Sequence, residues 1–296
     1  MKDIIYEFLD YISLEKKYSN HTETNYEIDL NKYEKFLNDI KKDYKKVKYE
    51  DISQYIIMLK KSGYKPASIN RNLSTLRSFY NYLVLTKIIS YNTFDLIKGM
   101  KEEKRLPNYF KYDEFILMLD SLKEDTPLNM RNRLILELLL ATGIRVSELV
   151  NIKLSDISLK TKEIKIYGKG KKERIVFFGN YSAEVLDKYL SFARGKLLKN
   201  KISDYLFINN LGGKLTDRGV RGIIDKIIKT SGVKSKVSPH TFRHTFATIM
   251  LKEGCNIKSV GDLLGHSSLN TTSIYTHLTN EEVRRVYLNA HPRAKK

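Results

Sequence analysis

The segment from Ser238 to His277 concentrates side chains suited to phosphate chemistry. His240 and Arg243 are three residues apart, so they share one face near the start of a predicted helix. His266 and Tyr275 follow within the same segment. A guanidinium binds phosphate oxygens, an imidazole moves protons and a tyrosine hydroxyl is a nucleophile. The segment lacks the carboxylate cluster that would hold Mg²⁺, and we predict no metal or other cofactor.

Each of these residues also has an ordinary explanation. Tyr275 is one of 20 tyrosines and could simply pack in the interior, and His266 could be a hydrogen-bonded core histidine. His240 and His244 have the i, i+4 spacing of a zinc pair. However, Thr241 stands where the zinc-protease pattern requires Glu, and no cysteine pair lies nearby.

An arginine outside this segment follows a predicted buried helix. The helix, from Met130 to Thr142, is nearly all apolar and should end at Gly143. Arg145 comes directly afterwards, so a rigid buried helix would fix its position. Glu148 could pair with Arg145 or orient a neighbouring group.

Residues 163–178 have the pattern of a β-hairpin, with two β-rich runs around a Gly-Lys-Gly-Lys-Lys turn at 168–172. Lys169, between two glycines, could reach into a site as a flexible point charge, or the turn could be merely basic. We expect further helices at about 112–123 and 181–198, one from Thr216 or Asp217 to Gly232, one starting at Ser238 and Pro239, and one at 281–288. We also expect a strand at 204–209.

The first hundred residues have helical periodicity throughout. We predict four amphipathic helices, which together make a compact helical domain: 1–18, one from Asn20 or Thr22, about 51–61, and one from Ser68. On the fourth helix, Arg71, Ser74 and Arg77 lie off the apolar stripe and could contact DNA phosphates or be solvated. Residues 98–107 are charged and contain Gly and Pro, which favours an exposed linker.

The charge of the chain indicates a polyanionic partner. Its 296 residues include 53 Lys and Arg against 34 Asp and Glu, a net charge of +19. Residues 1–106 hold 20 basic and 15 acidic residues, and the remainder holds 33 and 19. Nucleic acid is the favoured partner and an anionic membrane the second candidate. No apolar run approaches the roughly 20 residues of a membrane span. The lone Cys255 and the lack of signal-peptide features lead us to expect a cytoplasmic protein.

Four stretches together resemble the motifs of the tyrosine recombinase, or phage integrase, family. They are ATGIRVSEL at 141–149, GKGKKER at 168–174, HTFRHTFAT at 240–248 and LGHSSLNTTSIYTH at 264–277. Their order and spacing agree with the family over nearly the whole chain. LPNYF at 106–110 and HPRA at 291–294 are most similar to Xer recombinases.

The resemblance implies a mainly α fold with a small β-sheet, in two domains. Residues 1–97 would form an N-terminal helical, SAM-like core-binding domain, and 98–107 the linker. Residues 108–296 would form the C-terminal α+β catalytic domain.

The resemblance also implies that Tyr275 attacks a scissile DNA phosphate and forms a 3′-phosphotyrosine link. A freed 5′-hydroxyl of a partner strand would then attack that link, so neither ATP nor metal is required. Arg145 and Arg243 would stabilise charge on the non-bridging oxygens, and His266 would donate a further hydrogen bond.

The other predicted site residues would transfer protons or support the catalytic groups. Lys169 would protonate the leaving 5′-oxygen, and His240 would accept or orient the tyrosine proton. Glu148 would support the site without touching the phosphate. Lys171 and Lys172, at the hairpin tip, are further candidates for DNA contact.

Family members act as four protomers on two duplex sites, so the expected partners are a double-stranded recombination site and either identical subunits or a related recombinase. A septal DNA translocase is a further candidate partner. The helix at 281–288 could dock into a neighbouring subunit.

The chain departs from the family's pattern in three places outside the catalytic set. It has Tyr26-Glu27-Ile28-Asp29-Leu30 where Tyr-Arg-x-Asp-Leu is frequent, Arg131-Asn132-Arg133 where Arg-Asp-Arg is frequent, and Phe242 where Leu is common. These departures affect expected DNA contacts and packing, not the reaction.

Several functions are compatible with these residues. The leading prediction is Xer-like resolution of chromosome or plasmid dimers at cell division, and its nearest rival is the integrase of a mobile element with the same chemistry. A non-catalytic site-specific DNA-binding protein and a relaxing topoisomerase are the alternatives from other classes.

Overall fold

The computed structural model describes residues 1–15, 20–101, 109–123, 126–168, 173–265 and 280–294. The chain divides into two compact units, Met1–Lys104 and Arg105–Lys296. Among the described residues, no helix is long and apolar enough to cross a membrane.

The described residues of the first unit form four α-helices, which confirm the predicted helical domain. They are α1 (Lys2–Leu14), α2 (Asn20–Asp39), α3 (Tyr49–Lys61) and α4 (Pro66–Leu85), and a short 3₁₀ turn follows at Thr93–Leu96. The stripe predicted for α4 is fully buried, from Ile69 to Leu83. It packs with Phe8 of α1 and Tyr33 of α2 in one apolar cluster, as helical periodicity requires.

Polar side chains tie these helices together. Arg71 on α4 donates two hydrogen bonds to the Asp29 carboxylate on α2, at 2.7 and 3.0 Å. Asp29 is fully buried, so the pair compensates a carboxylate that water cannot reach. Arg77 donates to the carbonyl groups of Phe94 and Ile97 and so holds the 3₁₀ turn on α4.

In the described part of the predicted linker, residues 98–101, Met100 is hydrogen-bonded to α4. The Asn70 side chain accepts from the Met100 N–H at 2.7 Å and donates to its carbonyl at 2.9 Å. Both backbone groups of Met100 are therefore satisfied by one amide, as in a strand pair.

The second unit is organised around one helix that is apolar on nearly all sides. It contains α5 (Tyr112–Asp120), α6 (Pro127–Thr142), α7 (Val146–Leu149), α8 (Asn180–Lys188), α9 (Gly195–Leu198), α10 (Asp217–Ser231), α11 (Pro239–Lys252), α12 (Ile257–Leu264) and α13 (Asn280–Ala290). Every residue of α6 from Leu134 to Thr142 is buried, which confirms the predicted interior helix. α8 continues through a π-helical stretch, Tyr189–Arg194, into α9, within the predicted helix at 181–198.

A small antiparallel sheet in the order β1-β2-β3 accompanies these helices. The predicted hairpin is formed by β2 (Glu163–Tyr167) and β3 (Glu173–Phe177), with Ile164 opposite Val176. β1 (Ile157–Ser158) adds a third strand that the sequence pattern did not reveal, with Ile157 opposite Ile164.

The strand predicted at 204–209 is wrong. The described chain makes only isolated bridges there, Lys153 to Tyr205 and Ile208 to Lys214. The buried Arg194 guanidinium donates to the carbonyl groups of Ser203, Tyr205 and Leu206. A side chain thus satisfies backbone acceptors that a strand would have paired with a neighbouring strand.

The C-terminal helix packs on its own unit. Tyr287 and Ala290 of α13 are buried in a cluster with Phe246 and other apolar residues of α11, α12 and β3. The docking of this helix into a neighbouring subunit stays a prediction.

The stretch after α13 holds this helix in place. The buried His291 ring stacks on Phe246 and Tyr287 and hydrogen-bonds the Leu140 carbonyl at 3.1 Å. Burial lowers the pKa of His291 to about 3, so the ring is neutral. Arg293 donates to the fully buried Glu137 carboxylate of α6 through Nε at 2.9 Å and through Nη2.

Arg293→Met is expected to lower the free energy of unfolding of the second unit by about 3–5 kcal/mol, because it leaves the Glu137 carboxylate buried without its counter-charge. Urea unfolding of the full chain measures the change. Arg285→Met removes an exposed arginine from α13, which precedes Arg293, and should change the free energy by less than about 0.5 kcal/mol. Equal effects of the two substitutions would contradict the role of the buried pair.

Candidate active site

Arg145 is positioned by the end of α6. Gly143 ends that helix with φ of +60°, and a Cβ at this position would come within 2.6 Å of Phe246 and 2.8 Å of Leu264. Both the backbone angle and the space therefore require glycine. Arg145 then stands at the N-cap of α7, with its side chain 41 % exposed.

Glu148 is a buried carboxylate that binds two arginines. One oxygen accepts from the Arg145 backbone N–H at 2.9 Å, and the other from Arg145 Nη1 at 3.0 Å. Arg174 on β3 adds a two-pronged pair, with Nη1 at 2.9 Å and Nη2 at 2.8 Å from the two oxygens. Burial alone would raise the pKa of Glu148, but the hydrogen bonds and charges of Arg174 and Arg145 outweigh it and lower the pKa.

Arg243, on the second turn of α11, lies at the ends of two helices. Its Nη1 donates to the Gly143 carbonyl at 2.9 Å and its Nη2 to the Leu264 carbonyl at 2.6 Å. These carbonyls belong to the C-terminal ends of α6 and α12, which lack helical partners and carry the negative end of the helix dipole. They compensate a guanidinium that is only 9 % exposed.

Both burial and nearby positive charge change the pKa of Arg243. Burial and the charge of Arg145 lower it to about 10, while Glu148 acts in the opposite direction. Arg243 still carries its charge at neutral pH. Its side chain and that of Arg145 are therefore two cations whose charges act on each other.

His240 lies one turn before Arg243, in the first turn of α11. Ser238 caps this helix by accepting from the Thr241 N–H, and Pro239 occupies its first turn, as predicted. Partial desolvation lowers the pKa of His240, and so do the charges of Arg221, His244, Arg243 and Arg145. The neutral imidazole, which can accept a proton, is thus favoured near pH 7.

The structure brings together four of the predicted site residues: Arg145, Glu148, His240 and Arg243. The other predicted residues of this unit, Lys169, Lys171, Lys172, His266 and Tyr275, lie outside the described residues. No group of three His, Cys, Asp or Glu side chains within the described ranges is arranged to hold a metal ion.

The three DNA-contact candidates of the first unit differ in their surroundings. Ser74 is exposed on α4. Arg71 and Arg77 are bound to protein groups, although the Arg71 side chain remains 47 % exposed beside Asp29. The sequence pattern could not show this, because the acceptors come from α2 and from residues 94 and 97.

Sequence reasoning did not identify Arg174 and Arg221 as site residues. Arg174 belongs to the motif GKGKKER, but alternation along a strand does not reveal a carboxylate on another element. Arg221 on α10 is exposed, and its charge acts on His240. The described site can bind a phosphate group through two guanidinium side chains and supply a neutral imidazole beside them.

A helical first unit, a second unit of helices around a small sheet, and paired arginines at the ends of buried helices define a DNA-recombinase type of fold and site. Residues 108–282 match the phage integrase family, and residues 5–87 match the N-terminal SAM-like domain of phage integrases. The chain belongs to the phage integrase family and is a tyrosine recombinase of the Xer-like kind. The predicted fold class, family and enzyme class are confirmed.

Relatives cover the chain from end to end. It is 41 % identical over 296 residues to the tyrosine recombinase XerC of Staphylococcus saprophyticus. This match covers 100 % of this chain and 99 % of the relative. The XerA recombinase structure is 28 % identical with a TM-score of 0.51, and covers 98 % of this chain and 99 % of that one. The XerH recombinase bound to difH substrate before cleavage is 25 % identical with a TM-score of 0.68, covering 89 % and 78 %.

Glu148→Gln is expected to lower the free energy of unfolding at pH 7 by about 3 kcal/mol, because it breaks a buried ion pair. A lowered carboxyl pKa contributes stability above the ordinary Glu value of about 4.3, and this stability is lost as the pH falls through the folded-state pKa. The difference between wild type and variant should therefore shrink below about pH 4.

Urea unfolding at several pH values measures this difference. Asp225→Asn, at an exposed position on α10, serves as the control and should show little effect at any pH. A Glu148→Gln deficit that stays constant with pH would contradict the assigned pairing.

Proposed function

We propose that this enzyme cuts and rejoins DNA at specific sites through a 3′-phosphotyrosine intermediate formed by Tyr275. The observation that carries the proposal is the anchoring of two guanidinium groups near the end of α6: Arg145 pairs with the buried Glu148, and Arg243 donates to the Gly143 carbonyl. Two fixed guanidinium groups suit the two non-bridging oxygens of a phosphodiester, on which charge grows as the tyrosine attacks.

The proposed reaction exchanges one phosphodiester for another. The Tyr275 oxygen bonds to phosphorus while the bond to the 5′-oxygen breaks, and His240 accepts or orients the phenolic proton. Lys169 gives a proton to the leaving 5′-oxygen, and His266 donates to a non-bridging oxygen. The 5′-hydroxyl of a partner strand then reverses these steps, so the bond energy is kept and neither ATP nor a metal is consumed.

The proposed biological role is the resolution of chromosome or plasmid dimers at cell division in the cytoplasm. Its support is the full-length similarity to a protein named XerC. The active form would be four protomers on two duplex sites, all identical or shared with a related recombinase, with a septal DNA translocase as a further proposed partner. The XerH relative is bound to a difH substrate, which supports a duplex recombination site as the ligand.

The two units would divide the work on the duplex. Residues 1–97 form the proposed core-binding domain, in which exposed Ser74 and half-exposed Arg71 remain candidates for phosphate contact. Residues 108–296 form the proposed catalytic domain, joined through 98–107, with Lys171 and Lys172 as further DNA contacts.

The test is covalent capture on DNA. Duplexes that bind the chain are selected from a randomised pool, nicked near the centre of the selected sequence, end-labelled and incubated without metal or ATP. We expect a protein–DNA adduct with the wild type and none with Tyr275→Phe, since the phenol oxygen is the proposed nucleophile. Tyr167→Phe, at an exposed tyrosine on β2, is the matched control and should leave the adduct unchanged.

Two outcomes would contradict the proposal. Tight binding without an adduct on any nicked duplex would indicate a DNA-binding protein without strand cleavage. An adduct that persists in Tyr275→Phe would place the nucleophile elsewhere.

A further inference from the structure

Arg174 joins three elements around the candidate site. Its guanidinium makes the two-pronged pair with Glu148 and is only 15 % exposed in its side chain. Its Nε donates to the Leu263 carbonyl at 3.3 Å. One side chain on β3 therefore holds both α7 and the end of α12.

The end of α12 is shaped to receive this side chain. Gly265 has φ of +65°, and a Cβ there would lie 3.1 Å from three atoms of Arg174. Arg243 donates to the carbonyl of the next residue after Leu263, namely Leu264. Arg174 and Arg243 thus hold adjacent carbonyl groups of the turn that precedes position 266.

The contact with Glu148 has an electrostatic consequence for Arg145. The Glu148 carboxylate also accepts from Arg145 Nη1. With Arg174 absent, this buried carboxylate would have Arg145 as its remaining cation. The Arg145 guanidinium would then be drawn into a fuller pair and lose both freedom and net charge for a phosphate.

With Arg174 present, the described cluster keeps an excess of positive charge. Arg145 and Arg174 pair with the single carboxylate of Glu148, and Arg243 donates to backbone carbonyl groups, so two positive charges remain uncompensated by carboxylates among these four residues. A phosphodiester that gains negative charge as it is attacked is the type of group that such a cluster stabilises.

We propose that Arg174 is a positioning residue for strand cleavage, which satisfies the Glu148 carboxylate so that the Arg145 guanidinium stays available to the scissile phosphate. The proposal rests on the proposed function and adds a residue to it. The alternative is that Arg174 only stabilises the fold.

The test measures the rate of adduct formation at saturating nicked DNA. Arg174→Ala is expected to lower this rate about 10- to 100-fold, the usual effect of removing a group that orients an active-site residue. Arg174→Lys keeps the charge but loses the fork, so an intermediate loss is expected. In the Arg145→Ala background, removal of Arg174 should cost little more, since the two residues act on one phosphate.

A second substrate separates positioning from folding. A methylphosphonate at the scissile position replaces one charged oxygen with a methyl group, so less negative charge needs stabilising. The Arg174→Ala deficit should shrink on this substrate if Arg174 acts through Arg145. A purely structural role would give the same deficit on both substrates and an additive loss with Arg145→Ala, and either result would overturn the proposal.

A paired substitution guards against loss of the fold. Glu148→Gln with Arg174→Met removes the ion pair without leaving a buried charge alone, so the protein should remain folded. Because no buried carboxylate then draws Arg145 away from the phosphate, this variant should react faster than Arg174→Ala. Absence of any wild-type adduct would instead contradict the proposed function itself. A wild-type adduct with unchanged Arg174 variants would contradict this inference alone.

Discussion

Gathering arginines around a phosphate requires a counter-charge inside the protein, and the Glu148 carboxylate supplies it. Its side chain is 5 % exposed and accepts from both Arg145 and Arg174. The pairs lower its pKa, so the carboxylate stays charged although burial opposes this. Since a buried charge is tolerated only with partners, the positions of α7 and β3 are linked by this one group.

The second source of compensation is the backbone. Arg243 is buried against the carbonyl groups that end α6 and α12 and not against a carboxylate. Helix ends offer unpaired acceptors and a negative dipole without adding a formal charge. Arg243 is therefore fixed while the net positive charge of the site is preserved. This is possible because α6 is buried among apolar residues, and its burial fixes Gly143 at the point where Arg243 binds.

The sequence allowed the supporting elements to be predicted where the pattern was local. An apolar run such as Leu134–Leu140 can only be interior, and Gly143, Ser238 and Pro239 mark helix ends by their own backbone preferences. The motifs named Arg145, Glu148, His240 and Arg243, which the fold places around one site. Lys169, His266 and Tyr275 lie outside the described residues and keep the status of predictions.

What was missed depends on contacts between distant segments. Arg174 shares its strand face with the buried Val176 and lies opposite Ile166, but alternation does not show which group compensates a charge there. Its carboxylate partner Glu148 lies on another element. The strand expected at 204–209 was wrong: the described chain there makes isolated bridges only, and the Arg194 side chain binds the carbonyl groups of Tyr205 and Leu206. The ion pair of Arg71 was missed for the same reason, since its partner Asp29 lies on another helix. Periodicity shows which face of an element is apolar, but it does not show which charged group of another element lies against that face.

The most direct measurement of the central claim is a structure of the Tyr275→Phe variant bound to an uncut duplex selected by the chain. We expect a scissile phosphate with its two non-bridging oxygens within hydrogen-bond distance of Arg145 and Arg243, while Arg174 still binds both oxygens of Glu148. A phosphate bound elsewhere on the second unit, with Arg145 and Arg243 contacting only protein groups, would contradict it.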